Sequence, residues 1–291
     1  METTIPKRRV LAEAKTRHVI IVSIFLLWSA SLHAQESNFK WLQGLSETRY
    51  HRVESRLLEQ TYHVFVRLPE EHEPGKKFPT VYLLDGGITF PILAGYYRYL
   101  RLGEEIPSAI IVGISYGTDD WQKGNMRSRD YTAKAEDRSY WGGADNFQNI
   151  LRKEILPLIE QYYAADSSRR IIFGQSLGGQ FVLYTAQTAP ELFWGYIASN
   201  PALHRNLDLF LHMNPANSKA PDPPRLFVSS GSEDDAEFRE PALAWMQHWS
   251  NREQLPWPLR TMTLAGQGHF SAAPEAFRQG LRWVFAKRDE P

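Results

Sequence analysis

The sequence predicts an α/β protein with a mainly parallel sheet covered by helices on both faces. Three observations carry this expectation. Strand-like runs such as residues 79–84, 109–115 and 194–199 are mostly apolar throughout rather than alternating, as strands are when both faces are covered. These runs take turns with helix-like stretches, so successive strands need crossover connections. One run, Ile171-Ile172-Phe173, ends in Gly174-Gln175-Ser176-Leu177-Gly178 and leads into the breaker-free stretch Phe181-Val182-Leu183-Tyr184-Thr185-Ala186. That is the strand-turn-helix context in which a Gly-x-Ser-x-Gly serine is exposed as a nucleophile.

Residues 1–34 differ in kind from the rest. Lys7, Arg8, Arg9, Lys15 and Arg17 precede an uncharged apolar run, 19–28, and small residues follow at Ser29, Ala30, Ser31 and Ala34. A basic stretch, about ten apolar residues and a small-residue exit make a secretory signal. The run is well short of the ~20 residues a membrane-spanning helix needs. Cleavage is expected after Ala34, with Ser31 as an alternative exit; a retained anchor is the competing reading. The mature chain 35–291 then forms a single catalytic domain with 28 basic and 31 acidic residues, exported to the periplasm or secreted, without stable membrane insertion.

Composition narrows the chemistry. The 291 residues are 43% hydrophobic and 23% charged, as in an ordinary globular domain. A formal net charge of zero points to no nucleic-acid partner. No cysteine is present, which excludes disulfides, thiolate catalysis and cysteine-held metals.

Taken in order, residues 41–68 hold two strands, the clearer being 61–68 by its alternation. The charged turn around Pro74-Gly75 leads to a strand, 79–84, that runs into Asp85-Gly86-Gly87. A helix rich in aromatic residues is expected over 90–102 and a buried strand over 109–115. Residues 116–143 form the longest irregular segment, rich in Trp, Tyr, Arg and Asp. Irregular stretches longer than ~15 residues inside a compact domain are functional or disordered, and the aromatic content argues against disorder. Phe147, Ile150, Leu151, Ile155, Leu158, Ile159 and Tyr162 mark a helix that kinks or restarts at Pro157. Strands are expected again at 194–199, 225–230 and 259–264, with helices at 241–250 and 273–286.

A second Gly-x-Ser-x-Gly, Gly113-Ile114-Ser115-Tyr116-Gly117, also follows a strand-like run, but the polar, aperiodic residues after it start no helix. Ser115 is therefore read as a strand end and Ser176 as the nucleophile. A serine hydroxyl needs a base, and the base an orienting acid. On such a sheet the chain order is serine, acid, histidine. His269 follows the last strand on the loop Gly266-Gln267-Gly268-His269-Phe270, whereas His248 sits on a helix face and His204 and His212 precede the acid candidates in a Leu-rich connection. The strand ending at Gly231 leads to Glu233, Asp234 and Asp235, among which composition cannot choose; Asp234 is preferred. The oxyanion of a tetrahedral intermediate needs two N–H donors. They are expected from Leu177 and from Gly86 or Gly87.

Val81-Tyr82-Leu83-Leu84-Asp85-Gly86, Arg127-Ser128-Arg129-Asp130-Tyr131-Thr132, Trp141-Gly142-Gly143-Ala144-Asp145-Asn146-Phe147, the Ser176 motif and Gly268-His269-Phe270 occur in this order. Together they resemble the putative-esterase family of α/β-hydrolases, which holds esterase D-like and enterochelin (siderophore) esterases, over residues 50–286. The resemblance implies the α/β-hydrolase fold and serine esterase chemistry on a small-molecule ester. In that family the acid lies three residues after a strand-end glycine, which from Gly231 gives Asp234. Many members carry histidine where this chain has Gln175, so Gln175 is expected in the pocket wall.

Substrate contacts are expected from Arg127, Tyr131, Trp141 and Gln175. Guanidinium and aromatic faces together suit an anionic aromatic ester such as a catecholate siderophore. Against this, each arginine of the irregular segment can be tied in an ion pair with Asp119, Asp130 or Asp137. Esters of sugars or aromatic acids, acyl transfer, and a non-catalytic binding protein are the alternatives. No cofactor and no metal is expected, because the sequence carries no His-Glu-x-x-His and no calcium-loop spacing.

Overall fold

The computed structural model describes residues 35–36, 42–71, 75–216 and 222–287, so the expected signal segment, residues 1–34, lies outside the described residues. Antiparallel strands β1 (Gln35–Glu36), β2 (Thr48–Ser55) and β3 (Gln60–Arg67) form one flank of the sheet. The parallel strands are β4 (Phe78–Leu83), β5 (Ile110–Ser115), β6 (Ala165–Gln175), β7 (Gly195–Ser199), β8 (Arg225–Gly231) and β9 (Leu259–Leu264). Their order across the sheet is β1-β2-β3-β5-β4-β6-β7-β8-β9. The strand carrying Ser176 is thus central, with β5 and β8 on opposite sides of it.

The helices are α1 (Gly86–Leu102), α2 (Arg127–Asp130), α3 (Ala144–Ile150), α4 (Leu156–Tyr162), α5 (Leu177–Thr188), α6 (Leu207–His212), α7 (Ala236–Ser250) and α8 (Ala272–Phe285). They cover both faces because strand residues point alternately up and down. In β4, Val81 and Leu83 join the cluster under α1 and α8, with Phe90, Tyr97, Phe277 and Leu281. Tyr82 and Leu84 join the opposite cluster, with Phe147, Phe181 and Trp245. Every residue of β4, β5, β7 and β8 is buried, which explains the unbroken apolar runs.

Boundaries moved where propensity alone misleads. α1 begins at Gly86 rather than near residue 90, immediately after Asp85 in a left-handed conformation (φ 53°, ψ 40°). Only a glycine fits at 86, since a β-carbon there would lie 2.4 Å from the backbone nitrogen of Ile114. α7 starts before Pro241, which sits inside it. The expected kink before Pro157 is a π-helical turn, Leu151–Ile155, joining α3 to α4. The irregular segment holds a short 3-10 turn, Trp121–Lys123, and α2, with no helix directly after Ser115.

Burial pushes the imidazoles of His51, His63 and His204 below the ordinary histidine value of 6.5. His51 Nε2 meets the Tyr163 hydroxyl at 2.6 Å and His63 Nδ1 that of Tyr50 at 2.7 Å. As pH falls through 6.5, the unfolded chain takes up these protons before the folded one, so acidification favours unfolding. Thermal stability measured by calorimetry should therefore fall from pH 7.5 to pH 5; stability that held level or rose over that interval would contradict this assignment.

Candidate active site

The site grows from one turn. β6 ends at Gln175, α5 begins at Leu177, and Ser176 between them takes φ 60°, ψ −119°. A non-glycine residue there stores roughly 1–3 kcal/mol of strain, which the surroundings hold in place. Ser176 N–H donates to the Ser199 carbonyl at 3.0 Å, and the Ser176 carbonyl accepts from Gln180 N at 2.9 Å and Ala202 N at 3.1 Å. The turn closes so tightly that a β-carbon on Gly174 would sit 2.2 Å from the Gly178 carbonyl oxygen. Gly178 itself is less constrained than its place in the motif implies, because a β-carbon there would meet Leu84 at an ordinary 3.4 Å.

Three distant pieces of chain meet at this turn. His269 Nε2 lies 2.9 Å from Ser176 Oγ, and His269 Nδ1 lies 2.9 and 3.0 Å from the two Asp234 carboxylate oxygens. The Asp234 side chain is 1% exposed. Its neighbours in sequence, Glu233 and Asp235, are both exposed, and the imidazole bonds to Asp234. A phenyl ring covers the imidazole, with Phe238 at 4.6 Å between centroids, and Phe270 meets it edge-on at 5.1 Å. His248 instead sits on α7 against Arg252, and His212 bonds within α6.

The three side chains stand at a cleft of about 560 Å³ lined by Ser176, His269, Gln175, Gly87, Arg127 and Tyr116, among others. Of the two glycines after β4, Gly87 lines the cleft, while Gly86 packs against β5. Leu177 opens α5, so its N–H stands at the amino end of that helix, where backbone donors lack intrahelical partners. Ser115 also lines the cleft; its hydroxyl accepts from Gly117 N at 3.0 Å at the end of β5.

The expected substrate contacts divide. Gln175 lines the cleft and its side-chain amide donates to the His269 carbonyl. Arg127 lines it too, but its Nε and one Nη donate to the two Asp85 oxygens at 2.8 and 2.9 Å. Burial works against the Arg127 charge, yet Asp85 beside it holds the guanidinium above its ordinary value. Tyr131 is corrected: it is fully buried, and its hydroxyl accepts from Asp85 N at 3.3 Å beneath the loop after β4. Trp141 is corrected as well, since it lies outside the cleft lining and packs edge-on against His204 at 6.4 Å. Arg129 pairs with Asp130 at 2.6 Å and Arg138 with Asp137 at 3.3 Å. The aromatic and basic segment is thus mostly scaffolding. The buried Asp130 carboxylate accepts from Tyr62 at 3.1 Å and from Tyr116 at 2.9 Å, which fixes the Tyr116 ring at the cleft wall.

The sequence reading missed Asp85, Phe238 and Asn200. Asn200, 1% exposed, directly follows β7 with φ 42°. Its amide donates to the Gly268 and His269 carbonyls at 3.2 and 3.0 Å, and its oxygen accepts from Gly231 N at 2.8 Å. One side chain therefore couples the strand bearing the acid to the loop bearing the histidine. No sequence pattern marks it, because its partners are backbone atoms far along the chain.

The family described as Putative esterase matches residues 55–260. A ferri-bacillibactin esterase, BesA, of Bacillus subtilis (strain 168) is 29% identical over 264 residues, covering 81% of this chain and 89% of the relative. An apo-salmochelin esterase of Escherichia coli O6:H1 (strain CFT073) is 32% identical over 160 residues, 52% of this chain and 49% of that one. The crystal structure of the BES protein from Bacillus cereus superposes with a TM-score of 0.70 at 22% identity, over 83% of this chain and 97% of that one.

Asn200→Ala should lower kcat by about tenfold or more with KM little changed, since misplacing a reacting group by ~1 Å can cost ~100-fold. Steady-state kinetics check this; an unchanged kcat would remove Asn200 from the positioning apparatus.

Proposed function

The chain belongs to the putative esterase family and is a serine hydrolase acting on ester bonds, and on that premise we propose that it works through an acyl-enzyme on Ser176. His269 Nε2 takes the hydroxyl proton as Oγ attacks the ester carbonyl, and Asp234 holds the Nδ1–H tautomer and the imidazolium that forms. The N–H groups of Leu177 and Gly87 receive the oxyanion; one such donor contributes roughly 3–4 kcal/mol in measured cases. The imidazolium then protonates the departing alkoxide. Water, deprotonated by the same histidine, hydrolyses the acyl-enzyme. The hydrogen-bonded chain from Ser176 through His269 to Asp234, at 2.9 Å for each link, carries this reading.

We further propose that the substrate is a siderophore-type ester, the class named for the curated relatives, and that the enzyme is one catalytic domain, residues 35–291, exported behind a cleaved signal, residues 1–34. The basic and apolar composition of residues 7–28 supports export. N-terminal sequencing of the protein recovered from a periplasmic fraction should begin at Gln35; recovery of the intact Met1 terminus in the cytoplasm would sink that part.

With p-nitrophenyl butyrate, Ser176→Ala should lose at least about 10⁴-fold in kcat and Asp234→Asn about 10²-fold or more. Glu233→Gln and Asp235→Asn should stay within about threefold of the parent for this uncharged ester, because neither carboxylate reaches the imidazole. Equal rates for Ser176→Ala and the parent would end the mechanism, and a larger loss from Asp235→Asn than from Asp234→Asn would reassign the acid.

A further inference from the structure

The lining of the cleft carries a charge imbalance that bears on what can enter it. Among the described residues, and apart from His269, Arg127 is the one basic side chain in that lining, against the carboxylates of Asp85, Asp119 and Asp235. Arg127 and Asp85 cancel through their two-pronged ion pair. Asp119 and Asp235 are exposed, and among the described residues neither forms an ion pair. The nearest basic side chain in sequence to Asp119, Lys123, is held by Asp120 at 3.2 Å. Asp119 follows β5 and Asp235 follows β8, on opposite sides of β6 in the sheet order, and both residues line the cleft. The rest of the wall is largely apolar: Ile88, Tyr116, Phe238 and Phe270.

From this arrangement we propose that the site selects esters that are uncharged or cationic around the scissile bond and disfavours anionic ones. The proposal rests on the esterase function above and defines its substrate class further. An anionic ester enters against two exposed carboxylates with no unpaired lysine or arginine in the lining to receive it. An uncharged aromatic or aliphatic ester loses only water from the apolar wall. A cationic ester gains attraction from both sides. Because Asp119 and Asp235 face solvent, the discrimination is moderate and weakens with salt, as expected for exposed charges with a screening length of ~10 Å at 0.1 M ionic strength. Its main effect falls on encounter and binding, and so on kcat/KM.

The test compares three phenyl acetates of similar shape: 3-acetoxybenzoate, its methyl ester, and 3-acetoxy-N,N,N-trimethylanilinium. Each enzymatic rate is divided by the rate at which neutral imidazole cleaves the same ester at the same ionic strength, which removes differences in leaving group without a charged reference nucleophile. At low ionic strength kcat/KM should rank cation over neutral over anion, with the anion about fivefold or more below the neutral ester, and the gaps should narrow to within about twofold at 0.5 M salt. In the Asp119→Asn/Asp235→Asn double variant the ratio between neutral and anionic ester should shrink toward one. Hydrolysis of the anion as fast as the neutral ester would overturn the charge selectivity while leaving the esterase intact. So would a ratio unmoved by salt and by the double variant. Failure to cleave any of the three would sink the esterase function and this proposal with it.

Discussion

The approach of β6 to α5 at Gly174 and Gly178 is the constraint on which the rest of the site depends. Backbone atoms that would stand 2.2 Å from a β-carbon leave the turn no room to relax, and Ser176 is forced into a conformation that L-residues rarely adopt. The strain is held by hydrogen bonds to Ser199 and Ala202, at the start of the segment that carries Asn200. The elbow therefore fixes more than its own serine. It also fixes where β7 ends, and through Asn200 the distance between the loop after β8 and the loop after β9. A polar side chain buried so completely keeps its place only while its partners are satisfied, so the histidine and carboxylate loops are coupled rather than independently placed.

A second coupling runs through the segment between β5 and α3. Arg127, Asp130 and Tyr131 each spend their polar atoms inside the protein: on Asp85, on Tyr62 and Tyr116, and on the Asp85 backbone. Together they brace the loop that carries Gly87 and the wall that carries Tyr116. This accounts for a long irregular segment that is nonetheless buried at Asp130, Tyr131 and Thr132. It also changes the electrostatic character expected of the cleft. The ion pairing that the sequence offered as the alternative to ligand contact is what Arg127, Arg129 and Arg138 adopt, with Asp85 rather than a carboxylate of the segment as the partner of Arg127.

Much of the fold was legible because two-sided burial leaves a strong mark. β4, β5, β7 and β8 have to be apolar along their whole length, and each stood out as a strand within one or two residues of its ends. Starts of helices were less legible, since α1 and α7 begin on residues chosen for close approach or loop geometry rather than for helix propensity. The loops that bear Ser176 and His269 singled them out in the sequence, and the two side chains meet at 2.9 Å. Asp234 was separable from Glu233 and Asp235 only with help from family spacing. Tyr131 and Trp141 were misassigned because an aromatic residue in a polar segment reads the same whether it faces a ligand or a buried neighbour.

The sequence by itself determined the order of strands and helices, the sharp turn around Ser176 and the chemical types gathered for the reaction. All of these are written in local pattern: periodicity, glycine spacing and residue kind. Tertiary structure alone decided that Asn200 joins two loops and that Asp85 takes the charge of Arg127, and it turned the carboxylate of Asp234 toward the imidazole. Those outcomes depend on contacts between residues 30 to 70 positions apart, and the energy that selects them comes from burial and pairing, which exist only once the chain has closed on itself.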